Sequence, residues 1–173
     1  MLAAAVMSAM TIGVSAEQIK WYDGHHAVTF NVQKNSEPVV KMALDMFCGD
    51  MEAVTGKRAE AAGLKNAAVR IVQLNNATGS VAKELSRAGV PIDELVGKTD
   101  GFHISVINGQ ITIVGINGRG TAYGILELSR MAGVSPWIWW GDVVPQKRKR
   151  LEVDDRFATL QQPSVEFRGI FIK

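Results

Sequence analysis

Three of the chain's four tryptophans lie in one short stretch, Trp137-Ile138-Trp139-Trp140, and an acid, Asp142, follows two residues later. A carboxylate beside indole faces is chemistry suited to sugars: the C–H face of a pyranose stacks on the aromatic ring while the carboxylate accepts from hydroxyls. Trp139, Trp140 and Asp142 are therefore the candidate substrate-binding residues. A second reading stays open, in which the tryptophans pack this domain against another and Asp142 caps or pairs at that seam, since large aromatics dominate interfaces as readily as ligand sites. Glycoside hydrolysis itself needs two carboxyl groups facing one sugar, ~5 Å apart for retention and ~6.5–9.5 Å for inversion. The other acids near the aromatics, Glu152, Asp154 and Asp155, belong to a charged surface segment. No catalytic pair is legible.

Other reactive residues are sparse. His25 and His26 are adjacent, so on a strand they would point to opposite faces and could not converge on a metal. Cys48, the single cysteine, cannot make an internal disulfide and sits among apolar helical neighbours as a buried thiol. No zinc spacing and no Gly-x-Ser-x-Gly elbow occurs, so neither a metal nor any other cofactor is expected. His103 reads as a solvent-facing or hydrogen-bonded histidine. The glycine-rich Gly115-Ile116-Asn117-Gly118-Arg119-Gly120 joins a strand to a helix, as a phosphate cradle would. It lacks the Walker Lys-Ser/Thr and the dinucleotide spacing, and the simpler account is that Gly120 and Gly124 let the helix approach the sheet.

The elements that position these residues follow from periodicity. Ile111–Val114 alternates as a strand, Gly115 and Asn117-Gly118 break it, and Ala122, Ile125, Leu126 and Ser129 fall at helical spacing up to Gly133 and Pro136. Before it, Phe102–Ile107 and Gln110–Val114 flank Asn108-Gly109, the favoured pair for a two-residue hairpin turn. Upstream, Ala27–Val32 predicts a half-buried strand. A helix then starts at Ser36 as N-cap with Glu37 and Pro38 in its first turn, carries Val40, Leu44, Phe47, Met51 and Val54 on one face, and ends by Gly56. Ala59–Asn66 reads as a loop or frayed turn, Val69–Leu74 as an interior strand, Ser80–Arg87 as a helix burying Val81 and Leu85, and Ile92–Val96 as a short turn. Leu151–Asp155 is a candidate edge strand and Gln162-Pro163 a linker, before a last apolar strand over Val165–Ile172. The order predicts an α/β domain with a mixed sheet and helices packed on it.

A formal charge of +2 gives no field that argues for nucleic acid or an anionic membrane. The one basic run, Lys147–Arg150, reads as a solvated loop. Residues 1–16 carry no charge and end in Val14-Ser15-Ala16, too short for a span of ~20 apolar residues and suited to signal peptidase. A secreted or periplasmic protein without a membrane span is expected, divided into a signal peptide over 1–16, an α/β domain over 17–160, and a terminal piece over 161–173.

Arg119-Gly120-Thr121, Tyr123-Gly124-Ile125, Leu128-Ser129, Gly133-Val134-Ser135-Pro136-Trp137, Trp139-Trp140 and Asp142-Val143 together resemble the end of the N-terminal domain of glycoside hydrolase family 115, the xylan α-1,2-glucuronidases. Val54-Thr55-Gly56-Lys57, Pro163-Ser164-Val165 and Arg168-Gly169-Ile170-Phe171-Ile172 extend the likeness. The chain departs from the family at Asn117-Gly118, where charged residues are frequent, and at Ile138, Gly141 and Val144. The resemblance implies an α/β domain similar to the one preceding the barrel in β-N-acetylhexosaminidases and other α-glucuronidases, with residues 161–173 as linker and first strand of that (β/α)₈ barrel. It also implies hydrolysis, with inversion, of the bond joining glucuronic or 4-O-methylglucuronic acid to xylan. The carboxylates that do this belong to the family's barrel, so no catalytic residue transfers to this sequence. The implied partners are that barrel and xylan or glucuronoxylan. The competing expectation is a free-standing secreted module that binds carbohydrate or protein without catalysis.

Overall fold

The computed structural model describes residues 16–139 and 141–165, with Trp139 described by its backbone alone. Its frame is a six-stranded sheet built from β2 (Thr29–Val32), β3 (Glu60–Ala61), β4 (Val69–Gln73), β5 (Phe102–Ile107), β6 (Gln110–Gly115) and β8 (Ala158–Gln161). The strand order is β3-β2-β4-β6-β5-β8. β3, β2, β4 and β6 run parallel, while β5 and β8 join antiparallel at one side. The sheet is therefore mixed, as the order of sequence patterns predicts. A separate ribbon pairs β1 (Gln18–Tyr22) with β7 (Leu151–Asp154).

Every residue of β4 is buried, as befits a strand paired on both edges and covered on both faces, with Arg70 bonded to Glu84 and Gln73 to Glu37. Alternation sorts its side chains. Ile71 and Ile113 join the larger core, where α1 (Pro38–Thr55) and α4 (Gly118–Met131) supply Val40, Phe47, Met51, Ile125 and Leu128. Val72 and Val114 point the other way, onto Leu85 of α2 (Gly79–Arg87) and Leu95 of α3 (Ile92–Val96). The β5–β6 turn has left-handed Asn108 (φ 51) and Gly109 (φ 75), the geometry that the Asn-Gly pair favours.

Several boundaries differ from the sequence reading. α1 begins one residue late: Glu37 is its N-cap, and the Ser36 hydroxyl donates back to the Gln33 carbonyl. Pro38, with no N–H to satisfy, sits in the first turn, so the helix starts without a side-chain cap. Ala59–Asn66, read as a loop or frayed turn, holds a single 3₁₀ turn, Leu64–Asn66, and also the short strand β3, which that reading lacks. β7 pairs with β1 rather than edging the main sheet, and neither β1 nor β8 is foreshadowed by periodicity. Residues 1–15 and 166–173, which hold most of the expected signal and most of the expected last strand, lie outside the described residues.

Candidate functional site at the two ends of helix α4

The glycine-rich connection delivers β6 into α4 at the carboxyl ends of the parallel strands, the place where open α/β sheets bind ligands. Here that place is filled by the protein's own polar groups. Asn117 caps α4, its Oδ1 accepting from the Gly120 amide at 2.8 Å, and its Nδ2 donates to Asp100 at 2.9 Å. Asp100 is fully buried and left-handed at φ 53, and Arg119 grips it in a fork, Nε to Oδ1 at 3.1 Å and Nη2 to Oδ2 at 2.8 Å. The Glu37 carboxylate accepts from the Gly118 amide at 3.2 Å and from the side chain of fully buried Gln73 at 2.6 Å. Two carboxylates thus occupy the positive end of α4, so the glycine loop is not an anion cradle.

The glycines serve close packing, as the sequence suggests. A Cβ on Gly120 would run into the Gly101 carbonyl and stand 3.1 Å from the Asp100 oxygen, and one on Gly124 would meet Ile113 at 2.5 Å. Thr121 is fully buried against Gly115 and donates its hydroxyl to the Asn117 carbonyl at 2.8 Å. Arg119-Gly120-Thr121 is therefore an architectural triplet.

The other end of α4 is built differently. Gly133 takes φ 101 and ends the helix, and Pro136–Trp139 forms a 3₁₀ turn closed by the Gly141 amide donating to the Trp137 carbonyl at 2.8 Å. Trp137 is 66% exposed, and Val143 and Val144 also face solvent. Asp142 is exposed with φ 49, a conformation uncommon outside glycine. The Trp139 side chain and Trp140 lie outside the described residues, so of the three candidate sugar-binding residues only Asp142 is placed.

Between this turn, α1 and α4 lies a groove of about 400 Å³, walled by Met46, Leu126, Pro136 and Ile138. Asp50, Ser129, Glu127 and Arg130 supply polar lining. Burial pushes the Asp50 carboxyl above its ordinary pKa, with the neighbouring Ser129 hydroxyl pulling the other way. The Ser129 Oγ is itself buried without a hydrogen bond of good geometry, so this contact is an approach and not a bond. Glu127 is held below the usual carboxylate range by Arg130, which donates to both its oxygens at 2.7 and 2.6 Å. Gln161 adds a further donor to Glu127 at 3.3 Å.

One carboxyl pushed up and one pushed down in a single groove is the pattern of an acid and its counterpart in glycosidases. The partners decide against it here. Both oxygens of Glu127 are engaged by Arg130, and one of them also by Gln161, so this carboxylate is committed to an internal ion pair. Asp50 is a lone free acid, and no second one faces it across the groove among the described residues.

The sequence reading missed the Asp50 groove and the Glu37–Gln73–Asp100 cluster. A signal for the first exists: Met42, Met46 and Asp50 recur every fourth residue, a second stripe beside the core stripe of α1. Met42 is 67% exposed on it. Glu37 is legible only as a first-turn acid, and nothing local marks Gln73 or Asp100, whose partners Glu37, Asn117 and Arg119 are distant in sequence.

The remaining residues behave as follows. His25 and His26 lie in a turn rather than on a strand, and His26 Nδ1 pairs with Asp23 at 2.9 Å. That bond and the two backbone amides hold the Asp23 carboxyl far below its usual range. His103 is buried, not solvent-facing, with its Nδ1 unpartnered; desolvation lowers its pKa, and a hydrogen bond that the ring donates to the Thr159 carbonyl works the other way. Cys48 is a buried free thiol whose pKa burial raises. Lys147–Arg150 is exposed but pinned: the Arg148 amide donates to the Val54 carbonyl at 2.8 Å, and Lys147 Nζ reaches the Glu52 carbonyl at 3.1 Å, where a cation suits the end of α1. Among the described residues no three metal-capable side chains cluster, and no helix is long and apolar enough to cross a membrane.

No family model and no curated protein sequence matches the chain. Solved structures do. A family GH115 4-O-methyl-α-glucuronidase, BtGH115A, described as specific for decorated arabinogalactans, is 36% identical over 84% of this chain, with a TM-score of 0.72. The match covers 19% of that protein, so this chain spans about a fifth of its length. The structure of CpGH84D matches 96% of this chain and 25% of its own, at 15% identity and a TM-score of 0.58, a likeness of fold alone. With the motifs around α4 resembling one family and the structure matching a member of it, the chain carries the α/β domain of glycoside hydrolase family 115.

Proposed function

We propose that this chain is the N-terminal accessory domain of a secreted glycoside hydrolase that removes glucuronic or 4-O-methylglucuronic acid from a decorated polysaccharide. Residues 17–160 form the accessory domain, and residues 161–173 lead into the barrel that holds the catalytic acids. Residues 1–16 direct export. The substrate is xylan by motif resemblance, and decorated arabinogalactan is the alternative that the relative's own specificity suggests. Trp137 and Asp142, both exposed, are available to the barrel or to the sugar beside it.

The observation that carries this reading is the 36% identity to a glucuronidase over most of this chain but only 19% of the relative. The groove supports it, because its two acids cannot divide the work of glycoside hydrolysis: one is free and the other is held by Arg130 and Gln161. The test is a uronic-acid release assay on glucuronoxylan and arabinogalactan with the purified 173-residue chain and with the same domain fused to a family 115 barrel. Release by the fusion and none by the chain is expected. Turnover by the chain alone that is abolished by Asp142→Asn or Asp50→Asn would overturn the reading. For export, the secreted form should begin at Glu17.

A further inference from the structure

We propose that the groove between α1 and α4 is a docking seat for a segment of the polypeptide that completes the enzyme, and that this segment brings an apolar side chain next to an arginine or lysine. This deepens the accessory-domain reading and rests on it. The walls specify the apolar part. Met46, Leu126, Pro136 and Ile138 line a space of about 400 Å³, enough for an aromatic or long aliphatic side chain. Met46 is 36% exposed, and the wall formed by the 3₁₀ turn carries Trp137 at its outer edge, 66% exposed. Large apolar groups left in water along a groove mark a surface that something else covers.

Charge specifies the rest. Among the described residues three charged side chains line the groove, and two of them, Glu127 and Arg130, neutralise each other through two hydrogen bonds. Asp50 is left without an unengaged cation beside it among the described residues, and its neighbour is the Ser129 hydroxyl, itself buried and without a well-formed bond. Covering this groove with a purely apolar surface would strand a carboxylate, at a desolvation cost that a cationic donor removes. A free pyranose fits less well: most of its hydroxyls would meet apolar walls and go unpaired. The direction of the chain agrees, because Gln161, the last residue of β8, lines the same groove, so the polypeptide leaves the domain beside it.

The test uses the ¹⁵N-labelled 173-residue chain and three probes: N-acetyl-Phe-Arg-amide, N-acetyl-Phe-Glu-amide and methyl β-D-xylopyranoside. Saturable amide shifts centred on Leu126, Ser129 and Ile138 are expected with the arginine dipeptide. Affinity should drop about fivefold with the glutamate dipeptide and by a similar factor in Asp50→Asn, in line with a half-exposed ion pair. Leu126→Trp, which fills the groove, should abolish the shifts while the rest of the spectrum keeps its dispersion. Equal response to both dipeptides, a stronger response to the xyloside, or no saturable shift with any probe would overturn the proposal. None of these outcomes touches the activity of the barrel fusion, which tests the accessory-domain reading separately.

Discussion

The two ends of α4 carry the same kind of family motif and use it in opposite ways. At the N-terminal end Asn117, Gly118, Arg119, Gly120 and Thr121 all find their partners inside the domain: Asp100, Glu37, the Gly101 backbone and Gly115. At the C-terminal end Trp137 is exposed, Ser129 is buried but poorly partnered, and Asp50 of α1 has no unengaged cation beside it among the described residues. A motif residue that is fully satisfied within its own domain explains itself by architecture. One that is left exposed or unsatisfied points to something outside. The difference ties the first end to folding and leaves the second open to a partner, although sequence alone presents them as one continuous signature.

The sharpest break of this comparison comes from Gly120. A side chain there meets backbone, the Gly101 carbonyl and the Asp100 oxygen at 3.1 Å, and backbone cannot move aside as a side-chain tip would. Gly120→Val should cost about 3 kcal/mol or more, read as a lower urea midpoint with an unchanged slope. A smaller effect is expected from Arg119→Met, which keeps the aliphatic stem and removes the fork. Fully buried Asp100 would then keep Asn117 and lose its charge partner. Because Arg119 is more than half exposed and water enters easily, the loss should be about 2 kcal/mol, below that of a sealed pair. Arg119→Lys should recover part of it. If neither substitution moves the midpoint, the N-terminal end of α4 is not a structural knot.

The C-terminal end should respond with the opposite sign. Burial raises the Asp50 pKa in the folded chain above its unfolded value of 3.8. When both states are ionised, at neutral pH, the folded state bears the penalty of a poorly solvated charge. As pH falls through the folded and then the unfolded pKa, both states become protonated and the penalty disappears. Asp50→Asn should therefore stabilise the isolated chain at pH 7 and lose that advantage toward pH 3. Denaturation midpoints of the two proteins across this range test it. A substitution that destabilises equally at every pH would mean that Asp50 serves the fold.

What could be read from sequence divides along physical lines. The β5–β6 hairpin and the β6–α4 unit were legible because their determinants are local: Asn108-Gly109 fixes the turn, and period-two spacing gives way to helical spacing at Gly115. Val40, Leu44, Phe47, Met51 and Val54 are all buried as their stripe implies. β1 and β8 were not legible, because short strands with polar and exposed positions have no period of their own and exist through distant partners, β7 and β5. The same reason hid most of the candidate site. Trp137 and Asp142 stand out by composition, whereas Asp50 becomes notable only when folding sets it beside Ser129 and Ile138.

The smallest expected effect on stability falls on Trp137, and its smallness is the point. Elsewhere in this domain a large aromatic is structural: Trp21 is 5% exposed and Phe47 1%, and truncating either would open a cavity at a cost of roughly 3–5 kcal/mol. Trp137 already has 66% of its surface in water, so Trp137→Ala removes few contacts and should shift stability by no more than about 0.5 kcal/mol. A residue that adds so little to its own fold, in a turn held by backbone bonds from Ile138 to Ser135 and from Gly141 to Trp137, has its indole available to a partner. In the barrel fusion the same substitution should act differently, loosening the seam and lowering the temperature at which the two domains separate. Calorimetry on the chain and the fusion side by side decides it. A Trp137→Ala chain that loses several kcal/mol on its own would place the indole in the core and erase the contrast between the two ends of α4.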